Sequence, residues 1–369
     1  MRLAPLAGVV ALLVLAAPSA ASGAVPRGFV GVMGDGPLFS QEVDLDREVG
    51  LMATSGVESL RVAFYWATAQ PRRDSPVSFT ETDRVVEAAA RRRIQVLPVV
   101  LWAPPWARVN PGETWSPPAP AAYGRYAAYV AELVARYRKG GSFWRERPAL
   151  RPVPIRSWQV WNEPNGPRFW TIQPGLAQYA ALLRVTRIAI KRADPGAQVV
   201  LAGLTDLSWR ALRSLYELGV RRDADVVALN PFTALPRNLL KLVRRARAVM
   251  DGHGDAAKPL LITELSWPSA KDRVDDPFGY EVTERGQAKR LGQALRMLAR
   301  KRRSFGIRQV FWYTWLSYDR DPLYSFDWAG VRRFEGTTIA TKPAYWALRR
   351  TARALAGCGA RPLPQRCRR

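Results

Sequence analysis

Trp158-Gln159-Val160-Trp161-Asn162-Glu163-Pro164-Asn165 carries a short apolar run into Asn-Glu-Pro. The run reads as a buried strand, which puts Glu163 at its C-terminal tip. Leu260-Leu261-Ile262-Thr263-Glu264-Leu265-Ser266-Trp267 repeats the arrangement, with Glu264 at the tip. Around these two stretches the chain alternates short β-branched or aromatic runs with longer segments of helical period. The runs are predicted as strands at 29–33, 58–64, 94–101, 157–161, 198–203, 225–230, 260–264 and 308–314. Helices are predicted after each, at 41–55, 80–92, 121–138, 175–193, 208–218, 236–251, 284–303 and 342–355. Eight near-continuously apolar strands, each followed by a helix, predict an α/β fold of the (β/α)8 TIM-barrel type rather than a doubly wound sheet. The two acidic tips then belong to strands four and seven and share one face.

Composition agrees with a packed globular chain. Of 369 residues, 48% are hydrophobic and 24% charged, so a disordered reading fails. Residues 1–24 read as a signal peptide: Arg2, then an apolar core from Leu3 to Ala17, then Ser22-Gly23-Ala24 as a cleavage site. The apolar stretch is short of a membrane span, so the expectation is a secreted or cell-surface, extracytoplasmic protein without stable membrane insertion. The barrel is expected over 25–356 as a single domain and a monomer. Long loops are expected after strands three, seven and eight, at 102–122, 266–283 and 315–341. A basic tail follows at 357–369, where Cys358 and Cys367 could close a small disulfide loop.

Rare residues exclude chemistry. One histidine, His253, and two cysteines leave no multi-histidine metal centre and no cysteine cluster. Gly34-Asp35-Gly36-Pro37 after the first strand lacks the glycine spacing of a phosphate loop. Acidic residues at Asp319-Arg320-Asp321 and from Asp272 to Asp276 read as solvated loop charges rather than a calcium site. Hydrolytic chemistry here would run on carboxylates or on an oxygen-ligated metal. A pair of carboxyl groups across a barrel mouth is what glycosidic cleavage uses, one as acid and one as nucleophile.

These motifs resemble retaining glycoside hydrolases of clan A, nearest to families 39 and 5, over most of the chain from Gly31 to Trp346. The resemblance implies double displacement, with Glu163 as acid/base, Glu264 as nucleophile, and no cofactor or metal. It implies that Asn162 binds the sugar 2-hydroxyl and that Arg61, in Leu60-Arg61-Val62, touches the nucleophile. It implies a strand-eight tryptophan under the central sugar, Trp312 or Trp315 in Phe311-Trp312-Tyr313-Thr314-Trp315. Trp102, Asn230, Trp267, Tyr313 and Trp315 join Arg61 and Asn162 as expected substrate-binding residues. Relatives often read His-Pro-Tyr on strand six, where this chain reads Asn230-Pro231-Phe232, so Glu264 is expected to lack one hydroxyl donor. Arg61, Tyr65 and Tyr313 are the candidates to compensate.

Fourteen tryptophans suggest sugar-stacking platforms, and those on the active face are Trp66, Trp102, Trp106, Trp115, Trp161, Trp170, Trp267, Trp315 and Trp328. Trp158, Trp209 and Trp346 read as core. The expected partner is a polysaccharide or oligosaccharide, not a nucleic acid. The formal charge of +25 has two readings: codon bias, since only 8 of 56 basic residues are lysine, or electrostatic contact with anionic cell-wall polymers. Two alternatives to the enzyme stay open: a carbohydrate-binding barrel without turnover, and a surface protein that holds such polymers.

Overall fold

The computed structural model describes residues 24–358. Eight strands run parallel: β1 Val30–Gly34, β2 Ser59–Tyr65, β3 Gln95–Leu101, β4 Ser157–Val160, β5 Gln198–Val200, β6 Val227–Leu229, β7 Leu260–Leu265 and β8 Ile307–Trp312. Their order is β5-β4-β3-β2-β1-β8-β7-β6. Single bridges Val200–Val226 and Leu204–Leu229 join the two ends, so the sheet closes. The expected TIM barrel is the observed fold. Both strands at the closure are three residues long, shorter than the apolar runs predict, because their flanking residues pair as isolated bridges rather than as a ladder.

Eight helices return the chain outside the barrel: α1 Leu45–Thr54, α2 Thr80–Arg91, α3 Tyr123–Tyr137, α4 Leu176–Ala193, α5 Ser208–Glu217, α6 Pro236–Gly252, α7 Glu284–Lys301 and α8 Pro343–Leu355. Their starts follow local chemistry. The Asp44 carboxylate accepts from the Arg47 amide at 3.0 Å, and the Thr283 hydroxyl accepts from Gly286 at 3.1 Å, each satisfying an orphan donor. Pro236 and Pro343 occupy first helical positions, where no amide hydrogen is needed. His253 ends α6 and stacks on Tyr216, ring centroids 4.8 Å apart, away from the carboxylates.

Within the barrel, Leu97, Val200, Val226, Ala228, Leu261 and Phe311 form a fully apolar layer. Phe311 lies flat against Gly31, where a Cβ would stand 2.4 Å from the ring. This layer is a floor. Above it the inward positions turn polar, beginning with Arg61 and Gln159.

The loop after β8 folds a small sheet of β9 Leu316–Ser317, β10 Arg332–Glu335 and β11 Thr338–Thr341. Here one expectation is corrected. Asp319 is not solvated: it is buried, accepts from Lys342 Nζ at 2.8 Å and from Ser317 Oγ at 2.5 Å, and ties the loop to the start of α8. Trp346, expected in the core, is 47% exposed, because α8 turns that side outward. Residues 1–23 of the expected signal peptide and residues 359–369 of the tail, Cys367 among them, lie outside the described residues. No helix among the described residues is long and apolar enough to cross a membrane.

Gly31→Ala forces Phe311 off its seat and is expected to lower unfolding free energy by about 1–3 kcal/mol in urea titrations. Adding Phe311→Leu should recover part of that loss, since the two sites share one contact.

Candidate active site

Strand tips aim the site. Glu163 and Trp161 take positive φ of 43° and 65°, unusual for residues with a side chain, and Glu163 donates its amide to Gly203 O at 3.1 Å. Gly203 has no room for a side chain, since a Cβ there would meet Asn230 Oδ1 at 2.4 Å. The backbone of β4 is thereby bent so that Glu163 turns into the mouth. Glu264 rises from β7 where that strand's register to β8 shifts.

Arg61 organises the floor of the mouth. Its side chain is entirely buried, so its charge needs partners. Nη1 donates to Glu264 Oε1 at 2.7 Å, Nη2 to Asn162 Oδ1 at 3.0 Å and Nε to Gln159 Oε1 at 2.7 Å. Met33 Sδ lies 3.2 Å from Nη1. A second buried group, Asn230, donates to Glu163 Oε1 at 2.7 Å, while its carbonyl accepts from Thr263 Oγ1 at 2.7 Å. The same amide favours the ionised form of Glu264.

The two carboxyl groups thus sit side by side in unequal surroundings. Burial first, and the Glu264 charge second, push Glu163 up to about 8, against the Asn230 hydrogen bond. Burial raises Glu264 too, but the Arg61 ion pair opposes that directly. Glu264 therefore ionises first, and Glu163 keeps its proton at neutral pH. Among the described residues no cluster of three or more His, Cys, Asp or Glu could hold a metal ion.

The carboxylates open into a cleft of about 600 Å³, which Arg61, Asn162 and Tyr313 also line. Of nine tryptophans expected on the active face, only Trp115 lines it. The expected sugar platform on strand eight is corrected: Trp315 is fully buried and donates to Glu48 Oε2 at 2.8 Å, and Trp312 is buried against Ala329 O. Trp267 is likewise buried and donates to Thr233 O at 2.7 Å. Trp102 lies behind the cleft wall, stacked on Trp115 at 5.6 Å and edge-on to Tyr65 at 4.7 Å. These indoles spend their N–H groups inside the protein or sit behind other rings, so they support the mouth rather than face a ligand. Asn230 is also withdrawn from the cleft and acts on Glu163 from beneath. The other rings that line it are Tyr65, Phe169, Phe232, Phe278, Tyr280, Tyr318, Tyr324 and Phe326.

Phe232 packs on Phe326, centroids 4.8 Å apart, and gives Glu264 no hydroxyl, as its chemistry requires. Arg61 holds Glu264 instead. Tyr313 does not: its hydroxyl donates to Asp35 Oδ2 at 2.9 Å. The sequence reading missed Asp35 as a site residue, together with Gln159 and Thr263. The signal for the last two was present, a polar side chain inside an otherwise apolar strand.

No family model matches the chain, and neither does any curated protein sequence. Solved structures do share its fold. A family 39 glycoside hydrolase from Bacteroides cellulosilyticus superposes with a TM-score of 0.66 at 18% identity, covering 89% of this chain and 64% of that one. A β-xylosidase from Caulobacter crescentus gives 0.62 at 19% identity, covering 89% and 68%. An exo-β-1,4-mannosidase from an Opitutaceae bacterium gives 0.59 at 17% identity, covering 91% and 62%. This chain therefore spans about two thirds of their lengths. The class that fold and site define together is a TIM barrel with two buried carboxylates at its mouth, built like those enzymes.

A proton held on buried Glu163 has a stability consequence. Between about 4.5 and 8 the folded chain keeps a proton that the unfolded chain has released. Folding stability contributed by this group therefore falls as pH rises through that window. Glu163→Gln should gain thermal stability over wild type as pH rises from 5 to 8, measured by calorimetry. An unchanged difference across that range would show that Glu163 is ionised in the fold.

Proposed function

We propose that the protein is a retaining glycoside hydrolase that acts on a polysaccharide or oligosaccharide after export from the cytoplasm. The observation that carries the proposal is the unequal pair: Glu264 bound to Arg61 at 2.7 Å, and Glu163 pushed up to about 8 beside it. Enzymes of this class need one ionised nucleophile and one protonated acid at the same pH. The barrel shared with a xylosidase and a mannosidase supports the same reading.

In the first step Glu163 gives its proton to the glycosidic oxygen while a Glu264 oxygen attacks the anomeric carbon. The C–O bond breaks, the alcohol leaves, and a glycosyl ester forms on Glu264. Arg61 then loses part of its ionic contact and keeps Gln159 and Asn162 as partners, so the buried guanidinium is never left bare. In the second step Glu163, now ionised, takes a proton from water as the water attacks the same carbon. Glu264 departs as a carboxylate and the sugar keeps its configuration. Asn162 has its carbonyl engaged by Arg61, which leaves its amide to meet a sugar hydroxyl in the cleft.

The test is hydrolysis of a glycan panel (β-glucans, xylan, mannans, galactans and bacterial exopolysaccharides) with product stereochemistry followed by NMR. Retained configuration is expected, with Glu163→Gln costing roughly 10²- to 10⁴-fold in rate and Glu264→Gln abolishing turnover. The basic limb of the rate profile should fall near pH 8, where Glu163 loses its proton. Binding of a glycan in the cleft with no turnover would leave a lectin-like barrel instead, the reading that Phe232 motivates.

A further inference from the structure

Asp35 is a third carboxylate in the cleft, and nothing in the double displacement uses it. It stands at the tip of β1, between β2 and β8. Oδ1 accepts from the Gly36 amide at 2.8 Å, and Oδ2 accepts from the Tyr313 hydroxyl at 2.9 Å. Tyr313 is half-buried and held far above the ordinary phenol range, by desolvation first and the Asp35 charge second, so it stays a donor. Tyr65 is raised in the same way and on the same causes. Two phenols that could have served Glu264 are instead turned to Asp35.

A carboxylate has about four acceptor positions. Gly36 and Tyr313 fill one on each oxygen and Tyr65 takes a third, which leaves one for the cleft that Asp35 lines together with Glu264. Its place along the cleft follows from the strand order: β1 stands two strands from β7, which carries Glu264, and three from β4, which carries Glu163. No cation pairs with Asp35 among the described residues. The other cation of the cleft wall, Arg168, is exposed and sits over the Tyr324 ring, 4.2 Å from its centroid.

We propose that Asp35 binds the glycone directly, accepting a hydrogen bond from one of its hydroxyl groups, and that it confines that subsite to neutral sugars. The inference rests on the glycosidase reading and adds the substrate class. A uronate placed there would bring its carboxylate against an uncompensated charge, which is repelled strongly in a half-buried site.

The experiment compares wild type, Asp35→Asn and Tyr313→Phe on 4-nitrophenyl β-xyloside, β-glucoside, β-mannoside and β-glucuronide. Calorimetric binding of xylotetraose, cellotetraose and mannotetraose in the Glu163→Gln background runs beside it. Asp35→Asn is expected to raise KM, or the calorimetric Kd, for neutral ligands roughly tenfold or more, because a charge-assisted hydrogen bond is lost. It should also raise kcat/KM for the glucuronide relative to the neutral glycosides. Tyr313→Phe keeps the charge and should keep that ratio. The acid limb governed by Glu264 should move to lower pH in Asp35→Asn, since a charge that raises Glu264 is gone. A merely structural role would depress both substrate classes alike and leave their ratio fixed, which overturns the proposal. So does a wild type that prefers the glucuronide. If Asp35→Asn changes nothing while Glu163→Gln and Glu264→Gln abolish turnover, Asp35 alone fails. If wild type neither cleaves nor binds any neutral probe, the glycosidase reading falls with it.

Discussion

A guanidinium with no exposed surface sits at the centre of this barrel, and the upper half of the interior is arranged around it. An isolated buried charge costs many times the stability of a domain. Arg61 is tolerable only because four groups from three other strands or strand tips converge on it: Glu264, Asn162, Gln159 and Met33. Each contact is also a statement about the site. Arg61 opposes the burial that raises Glu264, Asn162 is given one orientation, and Gln159 ties β4 to β2. The fold and the site depend on the same cation.

Asn230 plays the matching part for Glu163. Its carbonyl is fixed by Thr263, so its amide must point to Glu163. Thr263 in turn lies one residue before Glu264 in the chain. Glu163 and Glu264 are therefore positioned by one connected set of buried hydrogen bonds, and a shift of either is felt by both. Apolar packing below, with Phe311 on Gly31, supplies the rigid floor that such a network needs.

Much of this was legible in the sequence because the controlling patterns are local. Alternating apolar runs and helical periods gave all eight strand–helix units, and proline or Thr/Asp caps marked several helix starts. Glu163 and Glu264 were legible because a charged residue ending an apolar strand has few structural reasons to be there. The tryptophans were not. An indole in a loop reads the same whether its face meets a sugar or another ring, and here Trp66, Trp161, Trp170 and Trp315 meet other rings. Asp319 was misread for a similar reason: its partner, Lys342, is distant in sequence, so its burial could not be seen. Asp35 lay in a glycine-rich turn that was weighed only for phosphate binding. Its meaning comes from Tyr313, on the strand that closes against β1.

The closure of the barrel is unevenly made. Seven of the eight joints between neighbouring strands are ladders, while β5 and β6 meet through two single bridges. Asn230 follows directly on β6 and donates its amide to Leu204 across that joint. That seam thus carries the residue hydrogen-bonded to Glu163, and backbone bonds hold it, among them Leu201 N to Val226 O at 2.9 Å and Leu204 N to Ala228 O at 3.2 Å. The joint at which the barrel closes is therefore also the joint that sets the direction of one of its two buried carboxyl groups.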